Sequence, residues 1–237
     1  MDTLKHISQE ALTDVEIYFF SGLGADSSVF GRLEIEHPNQ RHIDWIETTL
    51  GETIEEYAFK LLPQIDRSKR VVFLGVSFGG MVAIEVAKLI DVEKVILVSS
   101  VKHSDELPFY FRAAGRMRLH QLIPASLFKM NNPLTHFAFS VVGREEKKLL
   151  KNILKQTDDT FLKWAIGRIT IWRNDQVPPN VVHIHGTSDK IMPIRFVGDC
   201  MRIEGGGHLM IYQKADRISH IVNTIMTEEV LLLDVEK

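Results

Sequence analysis

The sequence predicts an α/β fold with a mostly parallel central sheet and helices on both faces of that sheet. Between Val15 and Ser99, short apolar runs rich in β-branched residues alternate with segments whose apolar residues recur at helical spacing. Such alternation is typical of a parallel sheet that is covered on both sides. The chain has 237 residues, 45% of them hydrophobic, which is enough for one such domain carrying an insertion.

Five apolar runs predict the strands of this sheet. They extend from Val15 to Phe20, Val71 to Val76, Val92 to Ser99, Val181 to Ile184 and Cys200 to Ile203. Thr53 and Glu56 have the spacing of a capping box, which predicts the start of a helix that packs against the core. We expect a last amphipathic helix after His208, extending to about Met226.

The alternation stops after Ser100, and about eighty residues follow with helical patterns but no clear strand. We therefore expect residues 1–100 and 181–237 to form the core and residues 101–180 to form a helical lid. A long insertion with its own helices is usually functional. Its aromatic and methionine side chains leave two interpretations open, the lining of an apolar pocket or the packing of the lid itself.

Ser77 stands where the spacing of apolar residues changes from strand to helix. Residues Gly75 to Gly79 have the pattern GxSxG, and Gly80 follows. Small residues two positions before and after the serine let strand and helix pass closely, and they hold the serine in a strained, exposed conformation at a helix N-terminus. An ordinary glycine-rich turn would have the same letters, so the pattern alone does not decide between a functional and a structural serine.

The glycine-rich turn after the first predicted strand is similar to a dinucleotide-binding fingerprint. Gly22, Gly24 and Ser27 have its spacing, and Glu47 lies about where a ribose-binding acid is expected. The match is imperfect because Ser27 replaces the third glycine. In addition, Asp26 would bring a negative charge towards the pyrophosphate.

Two segments near the C-terminus complete a second pattern. Residues His185 to Asp189 form His-Gly-x-x-Asp at the end of a predicted strand, and His208 follows three glycines. With the GxSxG segment and the chain order Ser77, Asp189, His208, they resemble the α/β-hydrolase family. The resemblance extends over nearly the whole chain, although the lid is similar only in position and helical character. The family's two leading antiparallel strands are expected to be missing, because only fourteen residues precede Val15.

The resemblance implies a serine hydrolase. By position in the family's motifs, Ser77 attacks the carbonyl, His208 takes its proton, and Asp189 orients the imidazole. The backbone amides of Leu23 and Phe78 would bind the oxyanion. The implied partner is a small or medium acyl ester or thioester, cleaved without a cofactor.

The sequence departs from the family pattern at one position, and the resemblance leaves two other classes of protein open. Ser21 stands where the family's His-Gly-x-Gly turn has its histidine. A lyase or acyltransferase would use the same triad, and a ligand-binding or sensing protein could keep the fold without turnover, because fold does not fix function.

A metal site is the rival interpretation of the same residues. His183, His185, Asp189 and His208 are of metal-ligating types, and the first two share one face of a predicted strand. Their spacing fits no zinc pattern, and the hydrolase resemblance already explains His185. We therefore expect no bound metal.

Composition and charge limit the classes of binding partner that we expect. The net charge of -3, with acidic and basic residues interspersed, gives no indication of a nucleic-acid surface. The sequence shows neither a signal peptide nor a membrane span, so we expect a cytoplasmic protein without a membrane partner. Cys200 is the only cysteine and cannot form an internal disulfide. The oligomeric state stays open.

Overall fold

The computed structural model describes residues 14–235. Within them lies one sheet of six strands: β1 (Val15–Phe20), β2 (Gln40–His42), β3 (Arg70–Val76), β4 (Lys94–Val98), β5 (Val181–Gly186) and β6 (Met201–Ile203). The strands lie in the order β2-β1-β3-β4-β5-β6, and each neighbouring pair is parallel. All the carboxyl ends therefore meet at one end of the sheet, where the following loops come together.

The helices of the described part follow the strands and fill the long insertion. They are α1 (Ile54–Leu61), α2 (Phe78–Ala87), α3 (Phe109–Arg116), α4 (Leu119–Leu122), α5 (Ala125–Phe128), α6 (Pro133–Ala138), α7 (Arg144–Gln156), α8 (Asp159–Ile171), α9 (Met210–Gln213) and α10 (Ala215–Val235). Six of them, α3 to α8, lie between β4 and β5. Helix α1 begins with the expected capping box, in which Thr53 and Glu56 exchange side-chain to backbone hydrogen bonds of 2.8 and 3.1 Å.

The core has two halves, one on each face of the sheet. Successive residues of β1 point to opposite faces: Ile17 and Phe19 join a cluster with α7 and α10, while Tyr18 and Phe20 join one with α1, α2 and α8. All four side chains are buried. Burial on both faces explains why β1 and β3 are nearly continuous apolar runs rather than alternating ones. The expected fold class, a parallel sheet with helices on both faces, is confirmed.

The sequence did not predict β2. Its residues Gln40, Arg41 and His42 are exposed. Among the described strands it pairs with β1 alone, at the edge of the sheet. It has neither an apolar run nor an alternating pattern. Its contacts with β1 are backbone pairing, the Arg41–Glu16 ion pair of 3.1 Å and the packing of the His42 ring on Phe19. The predicted C-terminal helix is also divided, since α9 and α10 meet at Lys214.

Two expectations concern the chain termini and membranes. The expected absence of two leading strands concerns the segment before residue 14, which lies outside the described residues. Among the helices that the structure does describe, none combines the length and the apolar character needed to cross a membrane.

Close backbone contacts hold β1, β3 and α2 together. A Cβ atom on Gly79 would lie 2.1 Å from the carbonyl oxygen of Ser21 and 2.3 Å from that of Phe20, and one on Gly75 would lie 2.5 Å from the Cα of Gly80. These neighbours are backbone atoms, so they cannot move aside cheaply. The glycines of the GxSxG segment are therefore required by packing.

We expect Gly79→Ala to lower the free energy of unfolding by about 1–3 kcal/mol, because the added methyl group overlaps two carbonyl oxygens. The matched control is Gly22→Ala, whose Cβ would make only ordinary contacts, the nearest at 3.7 Å. The control should change stability by no more than about 0.5 kcal/mol. Urea unfolding followed by circular dichroism measures both, and equal stabilities of the two variants would contradict the packing argument.

Candidate active site

Ser77 occupies a strained turn at the carboxyl end of the central strand β3. Its backbone has φ 53° and ψ -122°, a conformation that non-glycine residues rarely adopt. The turn is held by two hydrogen bonds of 3.0 Å, from the Ser77 amide to the carbonyl of Val98 and from the Gly80 amide to the carbonyl of Ser77. The serine side chain is therefore presented at the end of the sheet, at the start of α2.

His208 and Asp189 converge on this serine from the loops after β6 and β5. The Oγ of Ser77 lies 2.9 Å from Nε2 of His208, and Nδ1 of His208 lies 2.8 Å from Oδ2 of Asp189. Because a carboxylate only accepts, Nδ1 of His208 carries the donated proton, which leaves Nε2 of the neutral ring to accept from the serine. The structure thus brings together the three side chains that the sequence singled out, although 131 residues separate the serine from the histidine.

The carboxylate of Asp189 is fully buried, but both of its oxygens accept hydrogen bonds. Its Oδ1 accepts hydrogen bonds of 2.9 Å from the amides of Ile191 and Met192. Burial raises the pKa of Asp189, but the electrostatic attraction of the adjacent His208 imidazole and the hydrogen bonds from His208 and Met192 outweigh it, so the pKa lies below its usual value. The side chain is therefore held as an anion next to the imidazole.

The turn after β1 lies beside the serine. A Cβ on Gly22 would lie 3.7 Å from the Cβ of Ser77. Leu23 is the next residue in the chain, so this close approach brings its backbone amide near the serine. Within residues 14–235, neither the Leu23 amide nor the Phe78 amide donates a hydrogen bond to another residue. Ser21, which replaces the family's histidine, donates from Oγ to the carbonyl of Ala25 at 2.5 Å and braces the turn. Both amides are thus available to a ligand, and their role stays a prediction.

The insertion contacts this site at two places. At the first, the ring of Phe139, just after α6, meets the His208 ring edge-to-face, with centroids 5.6 Å apart. At the second, the side chain of Phe78, next to the serine, packs against Phe161 and Trp164 of α8, with centroids 6.2 and 5.9 Å apart.

A cavity of about 840 Å³ opens beside the turn after β1. The turn, the loop after β2 and the start of α8 line it, but neither Ser77 nor His208 does. Its charged lining residues are acidic: Asp26, Asp44, Glu47 and Asp158. The cavity is therefore a neighbour of the serine site rather than part of it.

Comparison with known families matches residues 8–220 to the description "Alpha/beta hydrolase family". The chain belongs to the alpha/beta hydrolase family. A comparison with curated proteins found no match.

Solved structures of this hydrolase fold resemble the chain over most of its length. One is MenH from S. aureus, with a TM-score of 0.67 and 18% identity, covering 91% of this chain and 94% of that one. A thermophilic esterase from Thermogutta terrifontis has a TM-score of 0.62, 16% identity and coverages of 91% and 90%. A lipase-esterase related protein from Clostridium acetobutylicum has a TM-score of 0.61, 16% identity and coverages of 89% and 94%. At such identities the likeness shows the fold alone.

The geometry of the turn after β1 argues against the dinucleotide interpretation. Gly24, Ser27 and Glu47 do line one cavity. However, the helix that follows the turn is a 3₁₀ helix of only four residues, Ser27–Phe30. The carboxylate of Asp26 already accepts from the amide of Ser28 at 2.9 Å, so the helix start presents a negative charge where a pyrophosphate would need free amides.

The geometry also argues against the metal interpretation. Nε2 of His183 lies 3.1 Å from the carbonyl oxygen of Ser100, and Nε2 of His185 lies 2.7 Å from that of Met192. Carbonyls only accept, so these nitrogens carry protons and cannot bind a cation. Among the described residues, no three histidine, cysteine, aspartate or glutamate side chains are placed to hold a metal ion.

A buried polar chain that the sequence analysis missed connects the serine turn with the aspartate loop. Ser100 Oγ donates to the carbonyl of Ser77 at 2.6 Å, and the carbonyl of Ser100 accepts from His183. The two histidine rings are linked at 3.3 Å, and His185 donates to Met192, whose amide reaches Asp189. The signal was present, because histidines two residues apart in a buried strand face the same side.

Protonation of His183 would destabilise this buried polar network. Burial and the neighbouring His185 lower the pKa of His183 from 6.5 to about 3, and burial also lowers the pKa of His185. In the unfolded chain His183 would titrate near its ordinary value. Between pH 6.5 and 3 the unfolded state therefore binds more protons, so stability falls as the pH falls through this window.

We expect His183→Gln to reduce this acid sensitivity, since the glutamine amide can still donate to Ser100 but takes up no proton. Below about pH 6, the stability of the wild type should fall more steeply than that of the variant by about 1.4 kcal/mol per pH unit. Urea unfolding at several values between pH 7 and pH 4 gives both curves. Parallel curves would show that His183 is not held neutral in the folded protein.

Proposed function

We propose that the protein is a serine hydrolase that cleaves a small or medium carboxylic ester or thioester through an acyl-enzyme intermediate. The observation that supports this proposal is the hydrogen-bonded series Asp189, His208 and Ser77, with distances of 2.8 and 2.9 Å. Nucleophile, base and orienting acid stand in the arrangement that acyl transfer needs.

In the proposed reaction, Ser77 Oγ forms a bond to the acyl carbon while His208 takes the hydroxyl proton. The negative charge moves to the carbonyl oxygen, where the amides of Leu23 and Phe78 stabilise it. Collapse of this intermediate breaks the bond to the leaving alcohol or thiol, which receives the proton from His208. Water then repeats the sequence and releases the acid, and Asp189 stabilises the imidazolium each time. These steps need no cofactor.

We further propose that residues 101–180 act as a lid that sets acyl selectivity. Phe139 lies against His208, and α8 supports Phe78, so the insertion contacts both ends of the proposed machinery. Four lid arginines are candidates for a polar contact: Arg112 is held by Asp105 at 2.9 Å, Arg116 and Arg118 are exposed, and Arg168 is half-buried. The lid therefore offers the acyl group mainly apolar contacts, which discriminate chain length gradually, at about 1–3 kcal/mol per methylene.

Replacing the nucleophile is the direct test. We expect Ser77→Ala to lower the turnover of short p-nitrophenyl esters by about three to six powers of ten and to abolish labelling by a fluorophosphonate probe. The fold should be retained, because Ser77 contributes little packing. Ser188→Ala is the matched control: it removes an exposed hydroxyl next to Asp189 and should preserve both labelling and turnover.

The outcomes also separate the other classes of protein. A wild type that neither labels nor turns over esters would favour a ligand-binding protein. Labelling at Ser77 without ester hydrolysis would favour a lyase or acyltransferase that uses the same serine. Turnover that survives Ser77→Ala would remove the serine from the mechanism.

The role of the acid can be tested separately. We expect Asp189→Asn to lower kcat by about 10³–10⁴-fold with little change in KM, since the amide favours the wrong tautomer of His208 and cannot stabilise its cation. The measurement is steady-state kinetics with the same esters, together with urea unfolding to confirm that the variant folds. A loss confined to KM would contradict the orienting role.

A further inference from the structure

The outer surface of the insertion exposes an unusual number of large apolar side chains. We define the apolar face as the exposed residues of α3 to α6 and their short connections. Six side chains on it are each more than half exposed: Phe109 (64%), Met117 (62%), Leu122 (79%), Leu127 (54%), Leu134 (75%) and Phe137 (63%). Single exposed apolar residues are common, but a large group on one part of a protein indicates an interaction site.

Contacts with α8 show how this face is arranged. Gly115 of α3 packs on Thr170, His120 of α4 packs on Gly167, and Lys129 after α5 forms an ion pair with Asp159. The helices α3, α4 and α5 therefore contact positions that lie successively closer to the N-terminus of α8. The helices α3 to α5 thus form one layer along α8, and their exposed apolar side chains are those that α8 does not cover. Helix α6 adjoins this layer, because Thr135 Oγ1 donates to the carbonyl of Met130 at 2.5 Å.

The same segment has a one-sided charge. From Leu107 to Arg144 the sequence contains five arginines and lysines but no aspartate or glutamate, although the whole chain has a net charge of -3. Arg112 and Lys129 pair with acids outside the segment. Arg116 and Arg118 are exposed, and neither forms an ion pair with a described residue. The apolar face is therefore cationic and has no acidic side chain of its own.

We propose that the apolar face docks on an anionic lipid surface. The face combines apolar side chains with unpaired cations and has no carboxylates. Surfaces of this composition bind at the interface of an anionic lipid layer, where the apolar side chains lie among the acyl chains and the cations lie at the phosphates. The sequence led us to expect no membrane partner, but that expectation considered only spans and targeting segments. The proposal does not rest on the serine chemistry.

A lipid surface fits better than the other occupants of such a face. In a symmetric dimer the same patch faces itself, so the unpaired Arg116 and Arg118 of two copies would be brought together. An acidic protein would need carboxylates placed opposite each cation as well as an apolar groove. A lipid layer supplies phosphate groups and an apolar interior over any area, so it needs no matching shape.

Vesicle flotation tests the proposal directly. The probes are vesicles of phosphatidylcholine alone and vesicles of phosphatidylcholine mixed with phosphatidylglycerol. We expect the full chain to float with the anionic vesicles and to partition at least about tenfold more weakly onto the neutral ones. High salt should weaken the binding, because it screens the exposed cations. The Ser77→Ala variant should bind like the wild type, which keeps this test independent of the proposed hydrolysis.

Matched variants locate the binding. The triple variant Leu122→Ser, Leu134→Ser, Phe137→Ser and the double variant Arg116→Gln, Arg118→Gln should each lower partitioning by at least about tenfold. Leu50→Ser with Phe59→Ser, and Arg67→Gln, change equally exposed residues elsewhere and should have no effect. The proposal is overturned if the chain binds neither vesicle, if the face variants bind like the wild type, or if the face variants instead dissolve a dimer seen by analytical ultracentrifugation.

Discussion

The close approach of three backbone segments around Ser77 is the constraint on which the rest of the site depends. Gly79 brings the start of α2 against the carbonyl groups at the end of β1, and Gly75 lets the helix pass over β3. This packing sets the backbone of Ser77 at φ 53° and places the turn after β1 at its side. Without it, neither the serine nor the adjacent amides would be presented at the end of the sheet.

Burial of polar groups then fixes the other half of the site. Asp189 and the histidines of β5 are removed from water, which is costly unless every polar atom finds a partner. The two amides on Asp189, and the chain through Ser100, His183 and His185, meet most of this need. Nδ1 of His183 is left without one among the described residues. The serine turn and the aspartate loop are thereby held in one polar network as well as through His208.

The sequence predicted those features that depend on local patterns. Buried strands, the GxSxG turn and the capping box at Thr53 each depend on neighbouring residues, so their signals are visible in the letters. The edge strand β2 carried no such signal, because its backbone pairing and its side-chain contacts are with β1 rather than with neighbouring residues in the chain. The pairing of Ser100 with the carbonyl of Ser77, and the cavity beside the turn, arise from elements distant in the chain, which no local pattern reports.

The helices of the insertion differ in how extensively they pack against the core, and this difference affects how readily each can open. Helix α7 packs in the cluster with α10 on one face of the sheet, whereas α8 packs in the cluster with α1 and α2 on the other. Beyond α8, the indole of Trp172 donates to the buried Glu85 of α2 at 2.8 Å. Helix α3 reaches the second cluster only through the partly buried Phe111. The short helices α4 and α5 have no residue in either cluster, and all three lie along α8. Local opening follows the density of buried contacts. We therefore expect the layer of α3 to α5 to open more readily than α7 and α8, which pack against the sheet that carries Ser77.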